Sequence, residues 1–417
     1  MLLSRIIPTA KVKENILSKT KKTNDEVVKL TAKHVAQTYG RFPIVLIKGK
    51  GTQVWDRSGK RYIDFVAGLA VDNLGHCHPQ IVKAIKEQAG KLLHVSNLYH
   101  IEPQSLLAEE LSKHSFADKF FFCNSGTEAN EAAIKLARRV SFDKEYKNRG
   151  EIIAMNNSFH GRTLGSMAAT GQAKIHHGFS PIPSGFKHVP FNDAEAARKA
   201  VTSKTCAILV EPIQGEGGVN IPDKQYLRKL KNICVENELL LIFDEVQTGF
   251  GRTGDLFAYQ TFGVKPDVFI LAKALGGGIP IGAIGATNKI MKSFVPGTHA
   301  ATFGGNPLSC AAALASLKVL TSKGFLENAK ETAAYFKSCL DELGNQHEVI
   351  SNVRSLGMML AVTLNKPAAP VIMDCMDKGY LINCVQIYTL RFIPPLIVTK
   401  KEIDGLIKIL SQSLKKL

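Results

Sequence analysis

The feature that most constrains the fold is an alternation, from about residue 103 onward, of short apolar segments with segments of helical periodicity. Strands that are joined by helical crossovers return in the same direction and form a mainly parallel sheet with helices on its faces. The sequence therefore predicts an α/β fold with ligands at the carboxyl ends of the strands. Five apolar segments are predicted as strands: Lys119–Cys123, Glu151–Met155, Cys206–Val210, Leu239–Phe243 and Val268–Ala272.

The segments that flank this alternation predict a hairpin and a terminal helix. Val54–Asp56 and Tyr62–Phe65 are strand-like and surround a turn sequence at residues 57–60. Apolar residues at positions 403, 406, 407, 410 and 414 have helical spacing. With 417 residues, 45% of them hydrophobic, the chain can bury a large core and is expected to form two domains. The change of domain is expected near residues 305–325.

The net charge of +17 is concentrated near the start of the chain. Residues 1–60 contain 13 Lys and Arg against 4 Asp and Glu, a net charge of +9, without a nucleic-acid-binding motif. A solvated basic tail is therefore favoured over a nucleic-acid-binding arm. Residues 1–13 lack acidic residues, as transit peptides do, but they are poor in serine. We interpret them as a flexible extension and expect a cytoplasmic protein, with the mitochondrial matrix as the alternative.

Hydropathy and cysteine content narrow the class of protein further. No apolar stretch approaches the roughly 20 residues that span a bilayer, so we expect a soluble protein without a membrane partner. The eight cysteines are scattered and form no Cys-x-x-Cys pair. This pattern is typical of buried reduced thiols rather than of disulfides or a metal cluster, and no metal site is predicted.

Two charged residues stand at the ends of consecutive apolar segments. Lys273 follows Val268–Ala272 and precedes a glycine-rich turn, and Asp244 follows Leu239–Phe243. Burial disfavours the ammonium form of a lysine and leaves a nucleophilic amine. Lys273 alone could be structural. Together with Asp244 it fits a pyridoxal 5'-phosphate site, in which the lysine forms a Schiff base and the aspartate keeps the pyridine nitrogen protonated.

The segment Ser125–Gly126–Thr127, after the first strand, has two open interpretations. Free backbone N–H groups at a helix start, with hydroxyls on each side of a glycine, form a cradle for phosphate. Ser125 and Glu128 also have the spacing of a capping box, which is a purely structural role.

Three further residues follow the next strands. Phe159 could belong to the core or stack on a coenzyme ring. Arg162 could lie at the surface or bind a substrate carboxylate. Glu216 projects from the glycine-rich segment 211–218, which indicates a tight loop beside a ligand.

Seven motifs occur in the order and spacing of a known family, and such a set is highly specific. They are GHCHP (75–79), FFCNSGTEANEAAIKLARR (121–139), FHGRTLG (159–165), EPIQGEGG (211–218), FDEVQTGFGRTG (243–254), AKALGGGIPIGA (272–283) and TFGGNP (302–307). The chain resembles the class III pyridoxal-phosphate aminotransferases over nearly all its length, and most closely those specific for acetylornithine. Ornithine δ-aminotransferases are similar but usually have a TGVEA-like loop and a WGRT segment, whereas SGTEANEA and FHGRT favour the acetylated substrate.

The resemblance implies a role for each coenzyme residue. Lys273 resembles the Schiff-base lysine and proton carrier, and Asp244 the partner of the pyridine nitrogen. Gln247 is similar to the residue that hydrogen-bonds the phenolic oxygen. Thr302 is similar to a threonine that reaches the phosphate of the neighbouring subunit's coenzyme, which implies an obligate homodimer. The remaining coenzyme positions match the phosphate loop (Ser125, Gly126, Thr127) and the stacking residue (Phe159).

The resemblance also implies how the substrates bind. Arg162 resembles the arginine for the distal carboxylate. Arg391 resembles the arginine for the α-carboxylate of glutamate, and it would pair at rest with Glu216. One position departs from the family pattern: Ala301 precedes Thr302 where the family usually has a serine or threonine. The lost hydrogen bond to a charged group is worth about 1.5–3 kcal/mol, so weaker coenzyme retention is expected.

The family also implies a fold and a reaction. The expected fold is type I of the pyridoxal-phosphate transferases, with a basic extension (1–24), a large domain (76–308) and a small α+β domain built from residues 25–75 and 309–417. The expected reaction converts N-acetylornithine and 2-oxoglutarate to N-acetylglutamate 5-semialdehyde and glutamate, in arginine biosynthesis. Ornithine, succinylornithine or succinyldiaminopimelate are alternative substrates, and a non-catalytic binding protein is the alternative from another class.

Overall fold

The computed structural model describes residues 22–146 and 148–417. Its strands are β1 (Leu46–Lys50), β2 (Gln53–Asp56), β3 (Arg61–Asp64), β4 (Lys119–Cys123), β5 (Glu151–Met155), β6 (Phe186–Val189), β7 (Thr205–Val210), β8 (Leu240–Asp244), β9 (Val268–Leu271), β10 (Gly282–Ala286), β11 (Ile350–Leu356), β12 (Met359–Leu364), β13 (Tyr380–Leu381), β14 (Asn383–Val385) and β15 (Thr389–Phe392).

Helices alternate with these strands and cover the sheets. They are α1 (Asn24–His34), α2 (Ala67–Ala70), α3 (Pro79–Ala89), α4 (Glu102–His114), α5 (Gly126–Asp143), α6 (Leu164–Ala169), α7 (Ala173–His176), α8 (Ala194–Ala200), α9 (Tyr226–Glu236), α10 (Ala258–Phe262), α11 (Asn288–Met291), α12 (Pro307–Leu320), α13 (Phe325–Gln346), α14 (Ala369–Asp377) and α15 (Lys400–Leu414). A short 3-10 helix, Lys273–Gly276, follows β9. None of these described helices is long and apolar enough to cross a membrane.

The large sheet confirms the predicted α/β architecture. Its strand order is β4-β10-β9-β8-β7-β5-β6, and only the pairings of β10 with β4 and with β9 are antiparallel. All five predicted strands are present, with bounds that differ by at most one residue at either end. Two strands, β6 and β10, were not predicted from the sequence. The carboxyl ends of β4, β5, β7, β8 and β9 lie at one edge, because these strands share one direction.

Alternate side chains of the central strands pack on opposite faces of this sheet. In β7 every residue is buried. Ile208 and Val210 belong to one apolar cluster, together with residues of α9 and α12, whereas Ala207 and Leu209 belong to another. That second cluster contains the alanine-rich face of α5, which was predicted to be apolar (Ala129, Ala132, Ala133, Leu136 and Ala137). Burial on both faces explains why the strands are apolar throughout rather than alternating.

One of the two smaller sheets combines early and late parts of the chain. It has the order β1-β2-β3-β13 and contains the predicted hairpin, and the other has the order β11-β12-β15-β14. Strand β13, late in the chain, pairs in parallel with β3. The predicted C-terminal helix corresponds to α15, which starts with a capping box of Thr399 and Glu402.

The predicted domain bounds (25–75, 76–308 and 309–417) stay predictions. Helix α12, which contains the 308/309 boundary, packs against α3 and α4. Most of the predicted basic extension, residues 1–24, lies outside the described residues, which start with Lys22 just before α1.

Candidate active site

A cavity of about 440 Å³ lies at the carboxyl edge of the large sheet. Five strand ends contribute to its wall, among others with Ser125 after β4, Phe159 after β5, Glu211 after β7, Asp244 at the end of β8 and Lys273 after β9. The parallel direction of these strands explains why residues that are up to 148 positions apart in the chain meet here. Gly126, Thr127, Arg162, Glu216 and Gln247 also line this cavity, as the sequence predicted.

Lys273 has an unusual backbone conformation. Its φ is 45°, in the left-handed region that costs a non-glycine residue energy, and such strain is concentrated at functional sites. Burial lowers the pKa of its ammonium group, and Glu216 and Asp244 oppose this shift while Arg391 adds to it. The lysine therefore loses its proton more readily than a surface lysine, as a nucleophilic amine requires.

Asp244 is held by neighbours that were not predicted from the sequence. Its Oδ2 accepts hydrogen bonds from Asn130 Nδ2 (2.9 Å) and His160 Nδ1 (2.7 Å), and the residue is 4% exposed. Asn130 Nδ2 also donates to Gly126 O, one helical turn earlier (3.0 Å). The i, i+4 spacing of Gly126 and Asn130, and the position of His160 next to Phe159, were the available signals. Among the described residues, Oδ1 accepts only from Val246 N (3.1 Å), which leaves it able to receive a further donor.

The start of α5 has a side-chain cap and, beside it, backbone N–H groups that are free to bind an anion. Ser125 caps the helix by accepting a hydrogen bond from Glu128 N (3.3 Å), and the Glu128 carboxylate accepts from Asn124 N (2.6 Å). The N–H groups of the first turn have no intrahelical acceptor, and Ser125 takes up only that of Glu128. The two preceding positions, Gly126 and Thr127, therefore leave N–H groups for an anion at the cavity wall.

The hydroxyl of Thr127 contacts the segment that follows β5. Thr127 Oγ1 lies 2.6 Å from Ser166 Oγ and accepts a hydrogen bond from Arg162 N (3.0 Å). These contacts hold the segment that carries Arg162 against α5. That Thr127 belongs to a phosphate loop stays a prediction.

Phe159 and Arg162 form a second wall of the cavity. The Phe159 ring is partly exposed toward the cavity, which fits a stacking surface. The guanidinium carbon of Arg162 lies 5.6 Å from the centre of this ring, within the range of a cation–π contact. Arg162 is exposed, so its guanidinium is accessible to a carboxylate at the mouth of the cavity.

Glu216 and Arg391 form an ion pair between the cavity and one of the smaller sheets. Arg391 lies on β15, is 1% exposed, and its Nη1 is 2.6 Å from Glu216 Oε1. Burial raises the pKa of Glu216, but the charges of Arg391 and Lys273 lower it more, and its pKa is below the ordinary value. Gln247 Nε2 donates to the same glutamate oxygen (3.3 Å). Glu216 lines the cavity, and Arg391 lies behind it.

Thr302, like Arg391, is a predicted site residue that does not line this cavity. It is exposed and lines a different cavity, of about 750 Å³, with Leu98, Phe121 and Ala301. Asn97 Nδ2 donates to Gly304 O (2.9 Å) and so holds the loop that carries Thr302.

The residues of the cavity fit pyridoxal phosphate. Asp244 presents an acceptor to a ring nitrogen, and the start of α5 presents donors to a phosphate. Gln247 lines the cavity as well, and its Oε1 is buried without a hydrogen-bond partner among the described residues. A Cβ at Gly126 would lie 2.9 Å from Val246 Cγ1, so a larger residue would disturb this side of the cradle.

The comparisons with known proteins agree with this geometry. The family model described as aminotransferase class-III matches residues 34–414. The chain is 51% identical over 386 residues to the acetylornithine aminotransferase of Caldanaerobacter subterraneus subsp. tengcongensis, covering 92% of this chain and 98% of the relative.

Two solved structures are similar over most of their length. The ornithine aminotransferase from Toxoplasma gondii ME49 is 33% identical and has a TM-score of 0.91. The match covers 95% of this chain and 96% of the solved chain. The acetylornithine aminotransferase from Elizabethkingia anophelis is 33% identical and has a TM-score of 0.85. The match covers 95% of this chain and 100% of the solved chain. From its motifs, its fold and these similarities, the chain belongs to the class III aminotransferases, a family that depends on pyridoxal phosphate.

Proposed function

We propose that the chain is an acetylornithine aminotransferase that transfers the terminal amino group of N-acetylornithine to 2-oxoglutarate. The observation that carries this proposal is the high identity, over nearly the whole chain, to a relative that has this activity by name. The SGTEANEA and FHGRT segments support the same choice over ornithine. The two solved structures have the same sequence identity to the chain, 33%, which does not discriminate between the substrates.

The proposed chemistry depends on Asp244 and Lys273. When bound, the coenzyme would supply an electron sink for the negative charge left on the substrate carbon. Asp244 stabilises positive charge at the ring nitrogen, and His160 and Asn130 fix its carboxylate through the hydrogen bonds described above. Lys273 Nζ removes the proton from the substrate carbon and returns it one position away. Its lowered pKa favours the neutral amine that this proton transfer requires.

Two substrates of different shape must place an amine at the same point. The amine of acetylornithine is terminal, so the carbon beside it has no carboxylate, and an unpaired Arg391 would be a desolvated charge. Glu216 neutralises it at rest, as their 2.6 Å contact supports. Arg162 then binds the distant α-carboxylate of acetylornithine. Glutamate brings its own α-carboxylate, which displaces Glu216 and binds the guanidinium of Arg391 in two places.

We further propose a homodimer in which Thr302 of the partner subunit reaches the phosphate. Thr302 lies away from the cavity of its own chain, on a surface with exposed apolar side chains such as Leu98, Tyr99 and Phe303. Such patches mark interaction surfaces. The cytoplasmic location stays a prediction.

The substrate assignment is tested by steady-state kinetics. The values of kcat/KM for acetylornithine, ornithine, succinylornithine and succinyldiaminopimelate report how well the site stabilises each transition state. We expect the highest value for acetylornithine. A higher value for ornithine would contradict the proposed substrate while leaving the aminotransferase chemistry intact.

A further inference from the structure

Glu211 is a buried carboxylate that the proposed chemistry does not use. It follows β7, is 5% exposed and lines the cavity. Its Oε1 accepts a hydrogen bond from Phe159 N (2.8 Å), and its Oε2 accepts one from Gly215 N (3.2 Å). One side chain therefore joins the two loops that follow β5 and β7.

Both backbone groups belong to segments that shape the site. Phe159 N precedes the ring that forms a cavity wall. Gly215 directly precedes Glu216, and its carbonyl oxygen accepts a hydrogen bond from Arg391 Nη1 (3.2 Å). The peptide groups of Gly215 are thus held on one side by Glu211 and on the other by Arg391. A Cβ at Gly215 would lie 1.7 Å from Gln247 Oε1, so this position has no room for a side chain and the loop backbone lies directly against Gln247.

We propose that Glu211 is a positioning residue that fixes the backbones of these two loops, so that Glu216 leaves and rejoins Arg391 by side-chain rotation alone. This inference rests on the proposed function, because the exchange at Arg391 belongs to it. A carboxylate suits this position because each oxygen accepts an N–H group and the negative charge strengthens both hydrogen bonds. An amide of the same size has only one accepting oxygen, so one N–H group would face another donor.

The two hydrogen bonds that Glu211 accepts from Phe159 N and Gly215 N form a tether between the loops. The charges around Glu211 make this tether sensitive to pH. Burial raises the pKa of Glu211 to about 7, His160 opposes the shift and Asp244 adds to it. Lys273 also faces this carboxylate, whose charge is among those that raise the lysine's own pKa against the effect of burial. As the pH falls through the pKa of Glu211, one oxygen becomes a hydroxyl and a poorer acceptor. The tether is therefore complete above this pKa and weakens below it.

Glu245 provides a matched control within the same chain. It is also fully buried, and burial raises its pKa to about 8. Its oxygens accept hydrogen bonds from Tyr259 N (2.8 Å) and Ala258 N (2.5 Å) at the start of α10. Glu245 does not line the cavity, so its two hydrogen bonds stabilise structure without holding a loop of the site.

Amide hydrogen exchange of the holoenzyme tests the tether directly. Peptides that cover 157–161 and 213–217 are followed at pH 6 and pH 8, after correction for the intrinsic exchange rate. Glu211→Gln should raise exchange in both segments by about tenfold to a hundredfold at pH 8, as expected for the loss of charged hydrogen bonds. Glu245→Gln should raise exchange only in 257–260. The wild-type protein should exchange faster at pH 6 than at pH 8 in the first two segments.

The kinetic readout separates positioning from a general structural role. The acid limb of kcat/KM, near the pKa of Glu211, should flatten in Glu211→Gln and persist in Glu245→Gln. Unchanged exchange at 157–161 and 213–217 in Glu211→Gln would overturn the proposal. If that variant does not fold, wild-type exchange that is independent of pH in these segments would overturn it instead. Wild-type inactivity on acetylornithine would contradict the proposed substrate alone, because the exchange measurement needs no substrate.

Discussion

Two parts of the proposed site differ in where their residues come from: the floor of the cavity, by which we mean Lys273, Asp244 and Glu211, and the loop that carries Thr302. Lys273, Asp244 and Glu211 are assembled within one chain by the parallel strands, and each is hydrogen-bonded or charge-coupled to its neighbours. Thr302 is exposed and belongs to another cavity. In the proposed homodimer, the residues that carry the chemistry therefore lie inside one subunit, whereas Thr302 would help to retain the phosphate from a second copy.

The largest expected effect lies on the floor, at Lys273. Lys273→Ala should lower kcat by more than about 10⁴-fold, because proton transfer alone contributes up to about 10⁴-fold and covalent attachment of the coenzyme is lost as well. Borohydride reduction followed by mass spectrometry should no longer attach the coenzyme to the peptide that contains residue 273. Lys265→Ala, at an exposed lysine before β9, is the control and should keep normal turnover. Near-normal activity of Lys273→Ala would remove the proposed mechanism.

A smaller loss is expected at Asp244. Asp244→Asn keeps the shape of the side chain but removes the charge opposite the ring nitrogen, and turnover should fall by roughly 10²–10³-fold. The coenzyme should still be attached to Lys273 by the reduction assay. Loss of attachment as well would mean that Asp244 acts by binding the coenzyme rather than by stabilising charge.

The pair of Glu216 and Arg391 should give opposite defects in the two half-reactions. Arg391→Ala should slow the glutamate half-reaction by about 10- to 100-fold, because a charged hydrogen-bond donor is lost, and should affect acetylornithine less. Glu216→Ala should slow the acetylornithine half-reaction, while the glutamate half-reaction is kept or improved. Single-turnover kinetics measures each half separately. Equal losses in both halves for both variants would rule out the exchange at Arg391.

The Thr302 loop should affect retention rather than chemistry. Thr302→Ala should weaken coenzyme affinity about tenfold, and Ala301→Ser should strengthen it by supplying the hydroxyl that this chain lacks. Added pyridoxal phosphate should therefore raise the Tm of these variants to different extents. Thermal melts at several coenzyme concentrations check this. A Tm that does not change with coenzyme concentration in the wild-type protein and in both variants would contradict the roles proposed for Thr302 and for the phosphate loop.

The large sheet could be predicted because its strands are apolar on both faces. Two of its strands, β6 and β10, were not predicted, and the reasons lie in their sequences. Strand β10, GAIGA, has little strand propensity, and its Gly285 is required because a Cβ there would lie 2.2 Å from a ring carbon of Phe269. Strand β6, FKHV, is short and half polar. Both depend on their neighbours in space rather than on their own sequence.

The site was predictable where strand direction alone brings residues together. Lys273, Asp244 and Phe159 follow strands, so topology places them at one edge. The hydrogen bonds of His160 and Asn130 to Asp244 depend on side-chain directions across three elements, and the sequence spacing of these residues gives only a weak signal of them. The engagement of the Thr127 hydroxyl with Ser166 has the same origin.

Mixed dimers test the division between the floor and the loop most directly. Lys273→Ala and Thr302→Ala chains with different tags are co-expressed, and the hybrid dimer is isolated. In the hybrid, the chain with Thr302→Ala keeps Lys273 and receives Thr302 from its partner, so half of the sites should retain coenzyme as the wild-type protein does and turn over substrate. If Thr302 acts within its own chain, the site that keeps Lys273 has no Thr302. It will then lose coenzyme as readily as the Thr302→Ala homodimer, which would contradict a site shared between subunits.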